Sequence, residues 1–73
     1  RIKDGITYFK NLSLQYPRSV AIATSLAVLL KSDDQTALAI KELQRVSSLK
    51  TGPDAERTYV RDLLGEWAKG GNQ

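Results

Sequence analysis

The sequence predicts an all-α fold of four antiparallel helices, stacked as helix-turn-helix hairpins. Four successive segments carry apolar residues at three- and four-residue steps, and no segment shows the sustained alternation of a β-strand. Short links containing Pro, Gly or Ser separate these segments, and short links force consecutive helices to pack antiparallel. A chain of 73 residues predicts a single domain covering residues 1–73.

The first helix is predicted from Ile2 to Tyr16. Its apolar side chains fall on one face of a helix. Pro17 ends it, because proline disfavours helical backbone in the residue before it. The stripe consists of Ile2, Ile6, Phe9, Leu12 and Tyr16.

The second helix is predicted from Val20 to Leu30, with Ser19 as its N-cap. This segment is apolar nearly all round. A helix of that kind is covered on more than one side, so we expect it in the centre of the fold.

The third helix is predicted to start at a capping box, Ser32 to Gln35, in which Asp33 and Asp34 favour the positive end of the helix dipole. It should end near Lys50, before the Thr51–Gly52 break. Its buried stripe is Ala37, Ile40, Leu43 and Val46, closed by Leu49.

The fourth helix is predicted to open at Pro53, since proline suits the first helical position. Gly70 and Gly71 should end it, which leaves residues 70–73 as a frayed tail. Its apolar face is Tyr59, Val60, Leu63, Leu64, Trp67 and Ala68. The four helices together predict one core, made of Ile6, Phe9, Leu12, Ala23, Leu26, Leu30, Ile40, Leu43, Val46, Val60 and Leu64.

The sequence also contains an internal repeat with an offset of 34 residues. The shift aligns small residues with small ones, large apolar residues with large apolar ones, and the break at Pro17 with the break at Thr51. The aligned apolar and small pairs are Gly5 with Ala39, Phe9 with Leu43, Leu12 with Val46, Leu26 with Val60, and Leu30 with Leu64.

On these residues the chain resembles the tetratricopeptide repeat, a helix-turn-helix unit with the same period. Gly5, Phe9, Leu12 and Pro17 fit the second-helix signature of that family, and Leu26, Ala27 and Leu30 fit its first-helix spacing. The resemblance implies a half repeat over about 2–17, a full repeat over about 19–51 and a closing helix over about 53–69. Arg57 and Arg61 depart from the pattern. They fit a terminal capping helix with a polar outer side, and equally a divergent helical hairpin outside the family.

In the resembling family, first-helix positions line a concave groove that takes a peptide or a partner helix. The resemblance therefore implies a partner-binding groove here. Thr24 and Val28 stand where a clamp for a terminal carboxylate needs polar and basic residues, so that clamp is not expected. The alternative is that these positions pack against neighbouring repeats of a longer parent chain. The groove residues are Ala21, Thr24, Val28, Lys31, Ala55, Thr58 and Asp62.

The composition argues against an enzyme and against a cofactor or metal site. The chain has no His and no Cys, which excludes the usual nucleophilic triads and the usual zinc and haem ligands. Asp33 and Asp34 are the only acidic pair, and helix capping is favoured over Mg²⁺ binding. No glycine pair precedes the Lys-Ser/Thr of a phosphate loop.

The leading hypothesis is a protein–protein interaction module of a scaffold or adaptor subunit. The alternative is a small basic helical domain that binds nucleic acid, because the net charge is +3 with Lys and Arg spread along the chain. Tyr8 with Lys3 and Lys10, or Trp67 with Lys69, could form a small binding patch for it. Core packing, or a place at the end of the helix stack, is the favoured role of the aromatic residues.

The longest apolar stretch, Val20 to Leu30, is shorter than the ~20 residues of a membrane span. The lack of Cys fits a reducing compartment, so an intracellular, cytoplasmic location is expected. The chain begins with Arg, from which we expect it to be a piece of a longer protein.

Overall fold

The computed structural model describes residues 1–70, which form four α-helices. They are α1 (Ile2–Gln15), α2 (Val20–Ser32), α3 (Thr36–Leu49) and α4 (Asp54–Gly70). No strand occurs among the described residues, so the predicted all-α class is confirmed. None of the four described helices combines the length and the apolar character that a membrane crossing requires.

Contacts between helix ends show that consecutive helices run in opposite directions. Lys3, at the start of α1, forms an ion pair with Asp33, just after the end of α2, with 3.0 Å between Nζ and Oδ2. Gly52, which follows α3, lies against Val20 at the start of α2. The start of α1 therefore meets the end of α2, and the end of α3 meets the start of α2.

The helices form two layers, with α1 and α3 in one and α2 and α4 in the other. α2 packs against all three other helices, and α3 also packs against α4. The Nζ atom of Lys31 lies 5.8 Å from the ring centroid of Trp67, so the C-terminal ends of α2 and α4 lie together. The Cα atoms span 33 × 29 × 15 Å, and the smallest dimension fits two layers of helices whose axes are about 8–10 Å apart.

The core lies between the two layers, and α2 contributes more buried residues to it than α1 or α3. This confirms the predicted central place of α2. Most of the predicted core is buried, whereas Phe9, Leu12, Ile40 and Leu64 are only partly so. The buried apolar residues are Ile6, Val20, Ala23, Leu26, Ala27, Leu30, Ala39, Leu43, Val46, Val60 and Trp67.

Four residues predicted to lie on apolar stripes are exposed instead. One of them, Ala68, directly follows the buried Trp67 and is turned about 100° away from it. Tyr16 follows the last residue of α1 and has φ −128°, so the helical periodicity no longer directs it inward. Ala37 lies two residues before the buried Ala39, which turns it about 200° around the helix. Tyr59 directly precedes the buried Val60 and is turned about 100° away from it.

The predicted capping box at the start of α3 is wrong. Ser32 is the last residue of α2, and α3 begins only at Thr36, without a side-chain cap on Gln35. The Nε2 group of Gln35 donates instead to Oδ2 of Asp33, at 2.7 Å. Asp34 takes a left-handed conformation with φ 62°. The first three of these residues therefore end α2 and make the turn. Gln35 begins α3 through its backbone alone, since its carbonyl accepts the N–H of Ala39 at 3.0 Å.

α2 ends at Ser32, two residues beyond the predicted Leu30, and the other predicted boundaries agree with the structure to within one residue. Ser19 caps α2, because its Oγ accepts the N–H of Ile22 at 3.2 Å. The carbonyl of Pro53, one residue before α4, accepts the N–H of Arg57 at 3.0 Å. Gly70 belongs to α4, and the remaining part of the predicted frayed tail, residues 71–73, lies outside the described residues.

Candidate protein-binding groove

A groove of about 620 Å³ lies between α1 and α3. The two helices form its walls, and Leu26 and Leu30 of α2 form its floor. We call it the α1–α3 groove. Its size is that of a typical binding pocket. Its lining residues are Lys10, Ser13, Leu14, Pro17, Leu26, Leu30, Leu38, Lys41, Glu42 and Arg45.

Two leucines on the walls of the α1–α3 groove are exposed to solvent. Leu14 on α1 is 81% exposed, and Leu38 on α3 is 46% exposed. Both lie off the core stripes of their own helices, so the core does not cover them. Exposed leucines grouped around an apolar groove are unfavourable in water, and such patches typically mark sites that a partner covers.

An arginine closes one end of the groove and links its two walls. Arg45 donates from Nε and Nη2 to the Glu42 carboxylate, at 3.1 and 2.7 Å. It also donates from Nη2 to Ser13 Oγ, at 3.1 Å, and from Nη1 to the Pro17 carbonyl, at 2.7 Å. Ser13 Oγ in turn donates to Glu42, at 3.0 Å. These bonds hold the end of α1 against α3 and fix the width of the groove at that end.

The charge of the groove comes from two lysines. The hydrogen bond to Glu42 raises the pKa of the Arg45 guanidinium, and the two opposite charges offset each other. Lys10 and Lys41, in contrast, form no ion pair with any of residues 1–70. Three cations and one carboxylate line the groove, so its net charge is +2.

A second groove, of about 490 Å³, lies where the end of α3 meets the starts of α2 and α4. Its floor is apolar, but its rim is mostly charged or polar. Arg57 and Asp54 on this rim form a loose ion pair, at 3.7 Å, and the Asp54 side chain is 99% exposed. This mixed rim makes it a weaker docking surface than the α1–α3 groove. Its lining residues are Val20, Val46, Ser47, Lys50, Asp54, Arg57, Thr58, Val60 and Arg61.

The predicted groove residues of α2 lie outside both of these grooves. Ala21, Val28 and Lys31 are exposed. Thr24 is half-buried, and its hydroxyl donates to the Val20 carbonyl, at 2.7 Å, within the same helix. The Lys31 ammonium lies over the Trp67 ring and so links α2 to α4.

The predicted groove residues of α4 are all exposed, namely Ala55, Thr58 and Asp62. Thr58 lines the second groove. Asp62 accepts a long hydrogen bond from its neighbour Arg61, at 3.4 Å. The seven predicted residues therefore do not come together in either groove, and a binding role for them stays a prediction.

The acidic pair in the link between α2 and α3 has a structural role. Asp33 accepts from Lys3 and from Gln35, and these two hydrogen bonds lower the pKa of its carboxyl below the ordinary value. Asp34 occupies the left-handed position of the turn. Within residues 1–70, no group of three acidic, His or Cys side chains could hold a metal ion.

The sequence interpretation missed the α1–α3 groove, although a signal for it exists. Leu14 and Leu38 are leucines at positions that the core stripes leave out. On α3, Leu38, Lys41 and Arg45 follow one another at helical spacing and form a second stripe. A leucine on such a mixed stripe predicts an exposed apolar site, but the sequence does not indicate that α1 and α3 lie side by side.

In comparisons with protein-family models, with curated proteins and with solved structures, nothing matches this chain.

Proposed function

We propose that the chain is a protein–protein interaction module that binds a helical segment of a partner in the α1–α3 groove. The main observation in support of this proposal is that Leu14 and Leu38 are exposed on the walls of an apolar groove, whose floor is formed by α2. Burying these side chains under a partner removes apolar surface from water, which is the main favourable term in most associations.

The proposal includes a tetratricopeptide-like organisation of the helices. It also includes a role as a module of a scaffold or adaptor subunit, which would present such surfaces to its partners. The 34-residue correspondence supports it in two places. Leu26 and Val60 are both buried. Gly5 and Ala39 are both small where helices approach closely: a Cβ on Gly5 would lie 3.1 Å from Leu29, and Ala39 is fully buried.

The proposed function is non-catalytic and intracellular. The absence of His and Cys from the sequence supports both parts, since it removes the common catalytic side chains and fits a reducing compartment. Nucleic-acid binding is the competing function. Of the two predicted patches, Trp67 is buried, whereas Tyr8 is exposed but one of its lysines, Lys3, is paired with Asp33. Nucleic-acid binding therefore receives less support, and Arg57 and Arg61 each face a carboxylate.

A binding measurement with a designed peptide tests the proposal. The probe is a peptide of about 18 residues with a leucine stripe and equal numbers of Glu and Lys, long enough to form a helix. We expect Leu14→Ser and Leu38→Ser each to weaken binding by roughly tenfold, because each removes an apolar anchor. Val28→Ser is the matched control, since Val28 is 40% exposed on a different face, and it should leave the affinity unchanged.

Fluorescence anisotropy with the labelled peptide gives these affinities, and circular dichroism checks that each variant keeps its helices. Absence of binding, or equal effects of Leu14→Ser and Val28→Ser, would overturn the proposal. Loss of binding in Val28→Ser alone would support the predicted α2–α4 surface instead. Tighter binding to a single-stranded oligonucleotide, with an affinity that falls steeply with salt, would favour the nucleic-acid function.

A further inference from the structure

We infer that the partner segment is an acidic amphipathic helix, an inference that rests on the proposed function of the α1–α3 groove. The segment would place apolar side chains in the groove and carboxylates beside Lys10 and Lys41. The groove supplies both features, an apolar floor at Leu26 and Leu30 and two cations on opposite walls. The partner surface that fits the groove is therefore apolar in the middle and negatively charged at its edges.

The free charges of Lys10 and Lys41 decide the sign of the partner. Arg45 is already bound to Glu42, Ser13 and the Pro17 carbonyl, so it is not available to a ligand. Lys10 lies on α1 and Lys41 lies on α3, and neither has an acidic neighbour within ion-pair distance among residues 1–70. A partner with carboxylates at its edges would pair with both, whereas a basic partner would be repelled from both walls.

The shape of the site favours a helix over an extended peptide. Residues 1–70 contain four helices and no strand, so they offer no sheet edge to which an extended segment could pair. No aromatic side chain lines the groove, whereas grooves for polyproline segments are lined with aromatic rings. Docking of a helix on the α1 and α3 walls, over α2, is the mode that the lining residues allow.

A second copy of the chain is a poor occupant of the groove. A two-fold dimer would place the same face of each copy together. The Lys10 and Lys41 side chains of both copies would then meet across a desolvated interface, and the carboxylate that lines the groove, Glu42, is already paired with Arg45. The net charge of +2 on this face therefore favours a different, acidic partner.

Three peptides with one leucine stripe test the inference on the full chain. Their flanking residues are all Glu, all Lys, or an equal mixture. We expect the Glu peptide to bind about tenfold more tightly than the Lys peptide at low salt, which corresponds to two favourable surface ion pairs. Screening by about 0.5 M NaCl should remove most of the difference. The double variant Lys10→Glu/Lys41→Glu should reverse the order of the two peptides.

The control Lys50→Glu/Lys69→Glu changes the net charge equally but leaves the α1–α3 groove unaltered, and it should preserve the preference for Glu. Equal binding of the Glu and Lys peptides, or the same loss of preference in both double variants, would overturn the inference. Binding of the mixed peptide would then still leave the proposed function intact. Failure of all three peptides would remove both. Self-association of the chain at the concentrations used, measured by sedimentation, would identify a second copy as the occupant and overturn the inference.

Discussion

At the scale of single residues, the link between α3 and α4 carries the most demanding backbone. Lys50 ends α3 in a left-handed conformation with φ 52°, and Gly52 follows with φ 90°. A Cβ on Gly52 would lie 2.8 Å from Cγ2 of Val20, a distance that real Cβ atoms do not show. The turn therefore needs glycine at position 52 for its backbone conformation and for its closeness to α2.

We predict that the same substitution has opposite effects at two glycines. Gly52→Ala should lower the free energy of unfolding by about 1–3 kcal/mol, because it strains the backbone and clashes with Val20. Gly65→Ala should raise it by about 0.5–1 kcal/mol, since position 65 is exposed, lies inside α4 and has open space around its Cα. Urea unfolding measures both changes in the free energy of unfolding. A Gly52→Ala variant as stable as the wild type would contradict the structure of this turn.

The ion pair between Lys3 and Asp33 predicts a pH-dependent contribution to stability. The pKa of the Asp33 carboxyl is lowered below 3.8 by the hydrogen bonds from Lys3 and Gln35. A carboxyl with a lowered pKa in the folded state stabilises the fold above its ordinary pKa, and this stabilisation is lost as the pH falls through the folded value. The Asp33→Asn variant should therefore have a lower melting temperature than the wild type at about pH 7, and the same melting temperature at about pH 2.

Thermal melts of the two proteins across this pH range measure the difference. Asp62→Asn serves as the control, because the Asp62 side chain is 65% exposed and its contact with Arg61 is long. A difference between wild type and Asp33→Asn that persisted unchanged at low pH would show that the ion pair is not its source.

At the scale of helices, α1 and α3 are linked through side chains of Ser13, Glu42 and Arg45. Arg45→Met keeps the length of the side chain but removes its hydrogen bonds, and it leaves Glu42, which is 14% exposed, without its cation. We expect a loss of about 1–2 kcal/mol in the free energy of unfolding. A double-mutant cycle with Ser13→Ala should show coupling between the two helices.

Arg61→Met is the matched control for this network, since the Arg61 side chain is 75% exposed and its ion pair with Asp62 is long, at 3.4 Å. Its effect should stay within about 0.5 kcal/mol. Equal effects of the two Arg→Met changes would mean that Arg45 does not link α1 to α3.

The helices could be predicted from the sequence, but the end of α2 and the start of α3 could not. Periodicity identifies all four helices, since apolar spacing reflects the surface that each must bury. The pattern of residues 32–35 is equally typical of the start of one helix and of the end of another, because Ser and Asp are suited to both caps and turns. The left-handed backbone of Asp34 and the contacts of Asp33 with Lys3 and Gln35 show that α2 ends there.

At the scale of the whole molecule, the core could be predicted from the sequence, whereas the α1–α3 groove could not. Buried positions such as Leu26, Leu43 and Val60 lie on their own helix stripes, so each can be predicted alone. The α1–α3 groove depends on three helices at once, because its walls come from α1 and α3 and its floor from α2. The predicted binding residues lie on α2 and α4 instead. Their prediction follows from a resemblance to a repeat family and does not depend on how the helices of this chain pack.

Mapping the binding site by NMR tests the central claim most directly. The ¹⁵N-labelled chain is titrated with the mixed-charge leucine peptide, and the shifts of its backbone amides are followed. We predict that the largest shifts cluster on α1 and α3 around Leu14, Leu38 and Lys41. Shifts confined to the exposed face around Val28, or no shifts at all at saturating peptide, would contradict the account.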